Sequence, residues 1–240
     1  VERIKFSSML IFSVLWTLVV YFPVANWVWG GGWLGSMGLI DFAGGTVVHV
    51  TAGVGALVTA LVIGQRKEFG QTATLPHNLT MSFTGAAMLW VGWFGFNAGS
   101  ALAADGAAGM ALFVTHISAA TGALTWMVIE WLKFGKPSGL GAITGMVAGL
   151  ATITPASGSV GPAGGLLVGL AGGIICYYAT TYLKQSLKID DSLDVFPVHG
   201  VGGMVGTFLA GILVSSNLGI FSGNGLADGM TIGSQVGVQV

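Results

Sequence analysis

Long apolar runs separated by short polar segments dominate the hydrophobic pattern of this chain. A membrane-crossing helix needs about 20 consecutive apolar residues. Runs of that kind lie at roughly 7–29, 43–64, 77–99, 107–132, 138–154, 162–183 and 195–215, and another apolar stretch begins at about 229. The pattern predicts an all-α membrane protein, with residues 1–240 forming one transmembrane domain and no separate soluble domain.

Composition agrees with a membrane protein. The 240 residues are 53% hydrophobic and 7% charged, with a mean hydropathy of +0.83, whereas soluble domains carry about 25% charged residues.

The net charge of −1 and the absence of a basic, aromatic-rich stripe argue against a nucleic-acid partner. Cys176 is the single cysteine, so no disulfide framework is expected. Because the sequence starts without Met and stops in a Gly- and Val-rich run, we expect a partial domain.

The cationic residues indicate how the runs cross the membrane. They occupy alternate loops only: Arg3, Lys5, Arg66, Lys67, Lys133, Lys136, Lys184 and Lys188. Positive residues concentrate in cytoplasmic loops, so the start of the chain is expected on the cytoplasmic side of the cell membrane and the first run is expected to lead outward. A missed or invented helix would scramble this alternation. The acidic residues near the cytoplasmic boundary, Glu130, Asp190 and Asp191, are expected to be solvated.

A histidine followed by a glycine four residues later occurs in the second and the seventh run, at His49 and His199. An aspartate precedes each histidine near the start of its run, Asp41 in the first case and Asp194 in the second. Side chains at i and i+4 share a helix face, so each histidine has a bare patch beside it. The alternating charges orient the two runs oppositely, as in an inverted repeat with its site near the midplane.

Histidine inside an apolar run needs hydrogen-bond partners, because an unsatisfied buried polar group is costly. His49 and His199 would satisfy one another if they met, or each could bind a neighbouring helix as packing glue. The residue positions permit a pair near the middle of the membrane but do not require one. His116 also lies within a run, where packing glue is the favoured interpretation.

Aromatic residues cluster at the outer ends of the runs. Trp27, Trp29 and Trp33 are typical of a membrane-interface belt. Trp93 and Phe96 lie in the outer half of the third run, followed by Ser100. An aromatic face in a dry site attracts a cation, but belt and packing roles also explain these positions.

Three segments carry a specific resemblance. They are "DFAGGTVVH" at 41–49, "GWFGFNAGS" at 92–100 and "DVFPVHGVGG" at 194–203. In this order and on these runs, they resemble the ammonium transporter family, the Amt/Mep/Rh proteins, and specifically its Amt-type members. The likeness runs through essentially the whole chain. It implies an eleven-span fold with inverted five-helix repeats, of which this sequence would hold spans four to ten and the start of the eleventh, without the first three spans and the C-terminal tail.

The resemblance also implies residue roles. Trp29, Phe96 and Ser100 would recruit ammonium at the outer mouth. His49 and His199 would line the pore as twin histidines that relay a proton. The residues expected to support this site structurally are Asp41, Trp93 and Asp194. Ammonium would lose its proton and cross the apolar stretch as ammonia, since a charged ion would forfeit its hydration there.

Partners follow from the same resemblance: ammonium or ammonia as substrate, a homotrimer, and a PII-type signalling protein at the cytoplasmic loops, including 65–76 and 184–193. No cofactor, metal ion or enzymatic activity is expected, because the sequence holds no nucleotide loop, nucleophile elbow or metal-ligand cluster. The alternatives are an ammonium sensor with a lost output domain, an Rh-like gas channel, which the aromatic and serine mouth disfavours, and a haem or quinone enzyme with histidine axial ligands.

Overall fold

The computed structural model describes residues 3–71 and 76–240. Within them it has seven helices long and apolar enough to cross a membrane, which confirms the seven predicted runs. We number these spans from first to seventh: Phe6–Ser36, Gly45–Ile63, Leu79–Gly99, Gly106–Phe134, Gly139–Ala156, Pro162–Gln185 and Phe196–Leu213. A shorter helix, Ile232–Gln239, follows where the last apolar stretch was predicted. No named strand occurs among the described residues.

Several spans change helix type along their length. The first consists of the helices Phe6–Trp16 and Phe22–Trp29, joined by the π-helical turn Thr17–Tyr21, and a short helix at Trp33–Ser36. The second and the seventh both open with a π-helical segment, Gly45–Val50 and Phe196–Val201. Single π-turns inside helices recur at functional sites, and these two segments hold His49 and His199.

The fourth, fifth and sixth spans form the most tightly packed part of the molecule. Gly149 and Gly169 both approach the backbone oxygen of Ser118 so closely that an added Cβ would collide with it. Without a hydrophobic drive between helices in lipid, such small residues let helix backbones make van der Waals contact. These glycines thus allow the fourth, fifth and sixth spans to pack closely.

The loop before the seventh span corrects one expectation. Asp190 and Asp191 were predicted to be solvated, yet they are 2% and 5% exposed. Arg66 donates to Asp190 through its side chain, at 2.7 Å from Nη2 to Oδ1, and through its backbone N–H. Burial alone would raise the pKa of Asp190, but the hydrogen bonds and charge of Arg66 outweigh it and hold that pKa below its usual value. The hydropathy pattern locates a charged residue such as Asp190 but does not show which residue it pairs with. By contrast, Glu130 is half-buried and accepts a hydrogen bond from Ser138.

Candidate functional site

Asp41 closes the amino-terminal end of the second span. Its carboxylate is 5% exposed and accepts four backbone N–H groups, those of Gly44 and Gly45 on Oδ1 and those of Thr46 and Val47 on Oδ2, at 2.5–3.0 Å. These are the donors that a helix leaves unpaired at its start. Burial raises the pKa of Asp41, and the four amides oppose that rise. The chain reaches this cap through Gly44, whose φ of 108° favours glycine.

Asp194 was paired with Asp41 from its position in the sequence, but Asp191 is the aspartate that caps the seventh span. Asp191 accepts the backbone N–H of Phe196 at 2.7 Å, five residues on, as Asp41 accepts that of Thr46. Asp191 precedes its histidine by eight residues, the spacing that separates Asp41 from His49. The inverted pair is therefore Asp41 and Asp191, and that equal spacing was the sequence signal for it.

Asp194 instead contacts the end of the sixth span. The Lys184 ammonium lies 2.6 Å from its Oδ1. Burial raises the pKa of the Asp194 carboxyl, and the charge of Lys184 partly offsets the rise. Its backbone has a positive φ of 56°, which is uncommon for a residue with a side chain. Asp194 thus supports the turn before the seventh span without capping the helix.

The two predicted pore histidines meet where the second and seventh spans cross. The Nδ1 atoms of His49 and His199 lie 3.2 Å apart, within hydrogen-bond distance. Axial ligands on opposite sides of a metal would hold their nitrogens roughly 4 Å apart, twice a metal–nitrogen bond of about 2 Å. Because the two nitrogens face each other directly, the geometry contradicts the haem interpretation.

Glycines make this crossing close. A Cβ on Gly53 would lie 2.4 Å from the Gly200 backbone, and a Cβ on Gly203 would lie 3.0 Å from the His49 Cβ. The bare patch predicted beside each histidine is thus filled by the opposite span. The close approach brings the two imidazoles within reach of one another.

Thr154 fixes the other side of the His49 ring. Its hydroxyl lies 3.1 Å from His49 Nε2, accepts the Trp93 indole N–H at 3.0 Å, and donates to the Leu150 carbonyl at 2.8 Å. A hydroxyl has one proton, so with that proton on Leu150 the facing His49 Nε2 must donate.

This assignment, made from the network, sets both tautomers. His49 Nδ1 carries a lone pair and accepts from His199 Nδ1–H. The remaining nitrogen, His199 Nε2, is then an unprotonated acceptor. In this assignment both imidazoles are neutral.

An apolar cavity of about 620 Å³ adjoins the pair. His49 and His199 line it together with nine further residues: Val48, Ala52, Gly85, Met88, Leu89, Gly92, Trp93, Phe96 and Val195. Trp93 stacks on His49 with ring centroids 5.2 Å apart, and Phe96 lies 5.9 Å from the same ring. The third span therefore supplies an aromatic wall beside the histidines.

The other predicted mouth residues lie outside this cavity. Trp29 is 46% exposed, and its indole N–H donates to the Asp41 carbonyl at 2.8 Å. Ser100 donates to the Phe96 carbonyl one turn earlier. Neither residue lines the cavity that holds His49. His116 is exposed, and its ring lies 5.2 and 5.9 Å from those of Trp90 and Phe94 on the third span, measured between centroids.

Sequence reasoning missed Thr154 and Asp191. Thr154 lies in the run Ile153-Thr-Pro-Ala156, where a span tightens into the turn Thr154–Ala156. A buried threonine of this kind resembles any helix threonine that bonds its own backbone, so the sequence held no signal for its contact with His49.

Gly53→Ala is expected to disturb the crossing. The new methyl would meet the Gly200 backbone at 2.4 Å, and overpacking of this kind costs about 1–3 kcal/mol. We expect a lower thermal unfolding midpoint. Gly109→Ala is the matched control, because nothing lies within 4 Å of a Cβ there and alanine favours a helix. Equal behaviour of the two variants would contradict the packing argument.

Comparisons with known proteins agree with this geometry. The sequence model of the Ammonium Transporter Family matches residues 1–240. The chain is 47% identical over 225 residues to an ammonium transporter of Bacillus subtilis, covering 94% of this chain and 55% of that protein. It is 48% identical over 222 residues to the ammonium transporter Amt1 of Archaeoglobus fulgidus, covering 92% and 56%. The chain thus spans about half the length of these relatives.

Solved structures give the same result. A protein titled "Sensor Amt Protein" matches with a TM-score of 0.91 and 31% identity, covering 99% of this chain and 60% of that one. Mep2 of Saccharomyces cerevisiae matches with a TM-score of 0.86 and 37% identity, covering 99% and 55%. With the family model matching its whole length, the chain belongs to the ammonium transporter family.

Proposed function

We propose that the protein moves ammonium across the cell membrane by separating ammonia from a proton. The observation that carries the proposal is the hydrogen-bonded histidine pair on the wall of an apolar cavity. Imidazole gains and loses a proton near neutral pH. Ammonium would reach the cavity mouth, release its proton and continue as ammonia, because an apolar passage accepts a small neutral molecule far better than an ion.

The proton would travel through the imidazoles. In the tautomers assigned above, His199 Nε2 has a free lone pair and accepts the first proton. The Nδ1–H of His199 can shift along the 3.2 Å contact to His49 and back, so the two rings would share the charge until His199 Nε2 releases the proton toward the cytoplasmic side. Thr154 and Trp93 hold the His49 ring in the orientation that this transfer needs.

Recruitment is assigned to the aromatic mouth. Phe96 is 39% exposed and lies beside His49, so its face is available to a cation before deprotonation. Trp29 and Ser100 would provide a further aromatic face and a hydroxyl acceptor. Potassium matches ammonium in charge but donates no hydrogen bond and has no proton to lose, which would give selectivity.

The assembly and its orientation are part of the proposal. The cationic loops would face the cytoplasm, with the start of this sequence on that side and Trp29 outside. We propose a homotrimer, as the family resemblance implies, and a PII-type signalling protein as a partner at the cytoplasmic loops. Of the loop 65–76, residues 72–75 lie outside the described part of the chain.

The test is a measurement on the intact protein in proteoliposomes. An ammonium pulse should give a current transient, and a matched potassium pulse should give a response at least about tenfold smaller. Equal responses to the two ions would contradict the proposed selectivity. No current but rapid internal alkalinisation would indicate passage of ammonia alone.

A second candidate is an ammonium sensor. The observation in its favour is the match to the protein titled "Sensor Amt Protein", with a TM-score of 0.91. A sensor would bind ammonium without sustained flux. Saturable ammonium binding to the purified protein, together with background-level uptake, would favour the sensor over the transporter.

A further inference from the structure

The helix Ile232–Gln239 holds a buried amide that the site described above does not explain. Gln239 is 8% exposed. Its Nε2 donates to the carbonyls of Ile40 and Thr207, both at 2.9 Å, and its Oε1 accepts from Ile40 N–H at 2.8 Å and from Gln235 Nε2 at 3.2 Å. A side-chain amide has two N–H donors and an oxygen with two lone pairs. Every one of them is used here.

Gln235 extends the same contact. It is 2% exposed, and its Nε2 donates to the Gly38 carbonyl at 2.9 Å as well as to Gln239. We call these two glutamines the glutamine clasp. The clasp binds the backbone of residues 38–40, the segment that leads directly into the Asp41 cap.

We infer that Gln239 is a positioning residue for the outer mouth and sets the affinity for ammonium there. Ile40 is bound through both its N–H and its carbonyl, which fixes the backbone next to Asp41. The Asp41 carbonyl in turn holds the Trp29 indole at 2.8 Å. The inference rests on the proposed function, because it takes Trp29 to be part of the recruitment site.

The clasp also joins the two halves of the site. Thr207 lies eight residues after His199 on the seventh span, and its hydroxyl lies 3.3 Å from that of Thr46 on the second span. Gln239 therefore holds the segment before the second span against the seventh span. The Asp41 carboxylate cap is local to residues 41–47, so loss of the clasp should displace the mouth more than the histidine pair.

The four hydrogen bonds at position 239 require a glutamine, whereas packing alone would not. Methionine matches its length but makes none of the four hydrogen bonds. Glutamate keeps two acceptors but turns a charged oxygen toward the carbonyls of Ile40 and Thr207. A buried group that loses its partners leaves the facing polar atoms unsatisfied.

The test compares ammonium uptake against concentration for the intact wild type, Gln239→Met and Gln239→Glu. We expect the half-saturating ammonium concentration to rise about tenfold in Gln239→Met and further in Gln239→Glu, with the maximum rate within about twofold of wild type. Gln185→Met is the matched control, because Gln185 is exposed at the end of the sixth span. An unchanged half-saturating concentration in Gln239→Met would overturn the inference, as would a fall in the maximum rate alone.

Hydrogen exchange provides a readout that does not depend on transport. The Ile40 amide should exchange about tenfold faster in Gln239→Met, while the amides of 44–47 keep their protection. Unchanged exchange at Ile40 would also overturn the inference. If the wild type carries no selective flux, the proposed function fails and exchange alone tests the clasp. If neither Gln239 variant reaches the membrane, Gln235→Met takes their place. It removes only the hydrogen bonds to the Gly38 carbonyl and to Gln239, so it should raise the half-saturating ammonium concentration by a smaller factor.

Discussion

Replacing His49 by alanine is expected to lower the ammonium-selective current at least about a hundredfold, the scale on which a positioned acid or base contributes. The substitution removes the Nδ1 partner of His199 and the Nε2 contact to Thr154, so the proposed proton path would be cut at its centre. His199→Ala should have an equal effect, because either ring alone has no partner for the transfer. The measurement is the current transient in proteoliposomes.

Two variants separate proton relay from simple packing. His49→Gln keeps a polar side chain that can hydrogen-bond but cannot carry a proton near neutral pH, so its current should also be lost. His116→Ala removes a histidine at mid-span that contacts Trp90 and Phe94 and lies outside the cavity. Its flux should stay within about twofold of wild type, as expected for a change at an independent site. A full selective current in His49→Gln would show that hydrogen bonding, and not proton transfer, is what the pair supplies.

Ammonia passage should respond differently from current. His49→Ala widens the cavity without adding charge, so neutral ammonia should still cross. Internal alkalinisation after an ammonium pulse should therefore persist while the current disappears. Loss of both signals would indicate that the histidine is needed to keep the passage open.

The spans were predictable because the membrane imposes a length and a polarity that a sequence displays directly. The same holds for His49 and His199: an ionisable side chain inside an apolar run attracts attention by its cost. Their pairing was not predictable from spacing. It depends on how closely Gly53 lets the second span approach Gly200, a distance set by the packing of two spans far apart in sequence.

Polar residues with ordinary local explanations were harder to place. Thr154 looks like a helix threonine bonded to its own backbone, and only the folded chain brings it to His49 and Trp93. Asp191 was expected to be solvated because it lies near the cytoplasmic boundary, although its eight-residue spacing to His199 repeats that of Asp41. Spacing between a cap and a functional residue is thus a better guide to this repeat than the nearest acidic residue.

Asp41→Ala is expected to be the most destabilising substitution in the site. It leaves four backbone N–H groups without the carboxylate that accepts them, in a position where the side chain is 5% exposed. Each unsatisfied buried donor costs about 1–3 kcal/mol, so we expect a loss of about 3 kcal/mol or more, measured by thermal unfolding in detergent. Asp41→Asn retains one oxygen and should lie between alanine and wild type.

The matched control is another aspartate that caps a span. Asp105 accepts the N–H groups of Ala107 and Ala108 at the start of the fourth span, and it is exposed. Water can replace its carboxylate, so Asp105→Ala should cost about 1 kcal/mol and leave transport unchanged. If Asp41→Ala cost no more than Asp105→Ala, the buried cap would not be holding the second span.

Transport by Asp41→Ala should fall even in protein that stays folded. The cap fixes the first turn of a π-helical segment, and His49 lies eight residues after Asp41 within that segment. The freed amides would let this turn unwind or shift. The shift would displace the His49 ring, whose Nδ1 lies 3.2 Å from that of His199. Selective current should therefore drop in folded Asp41→Ala at a temperature well below its unfolding midpoint. Preserved current under those conditions would restrict Asp41 to a purely structural role.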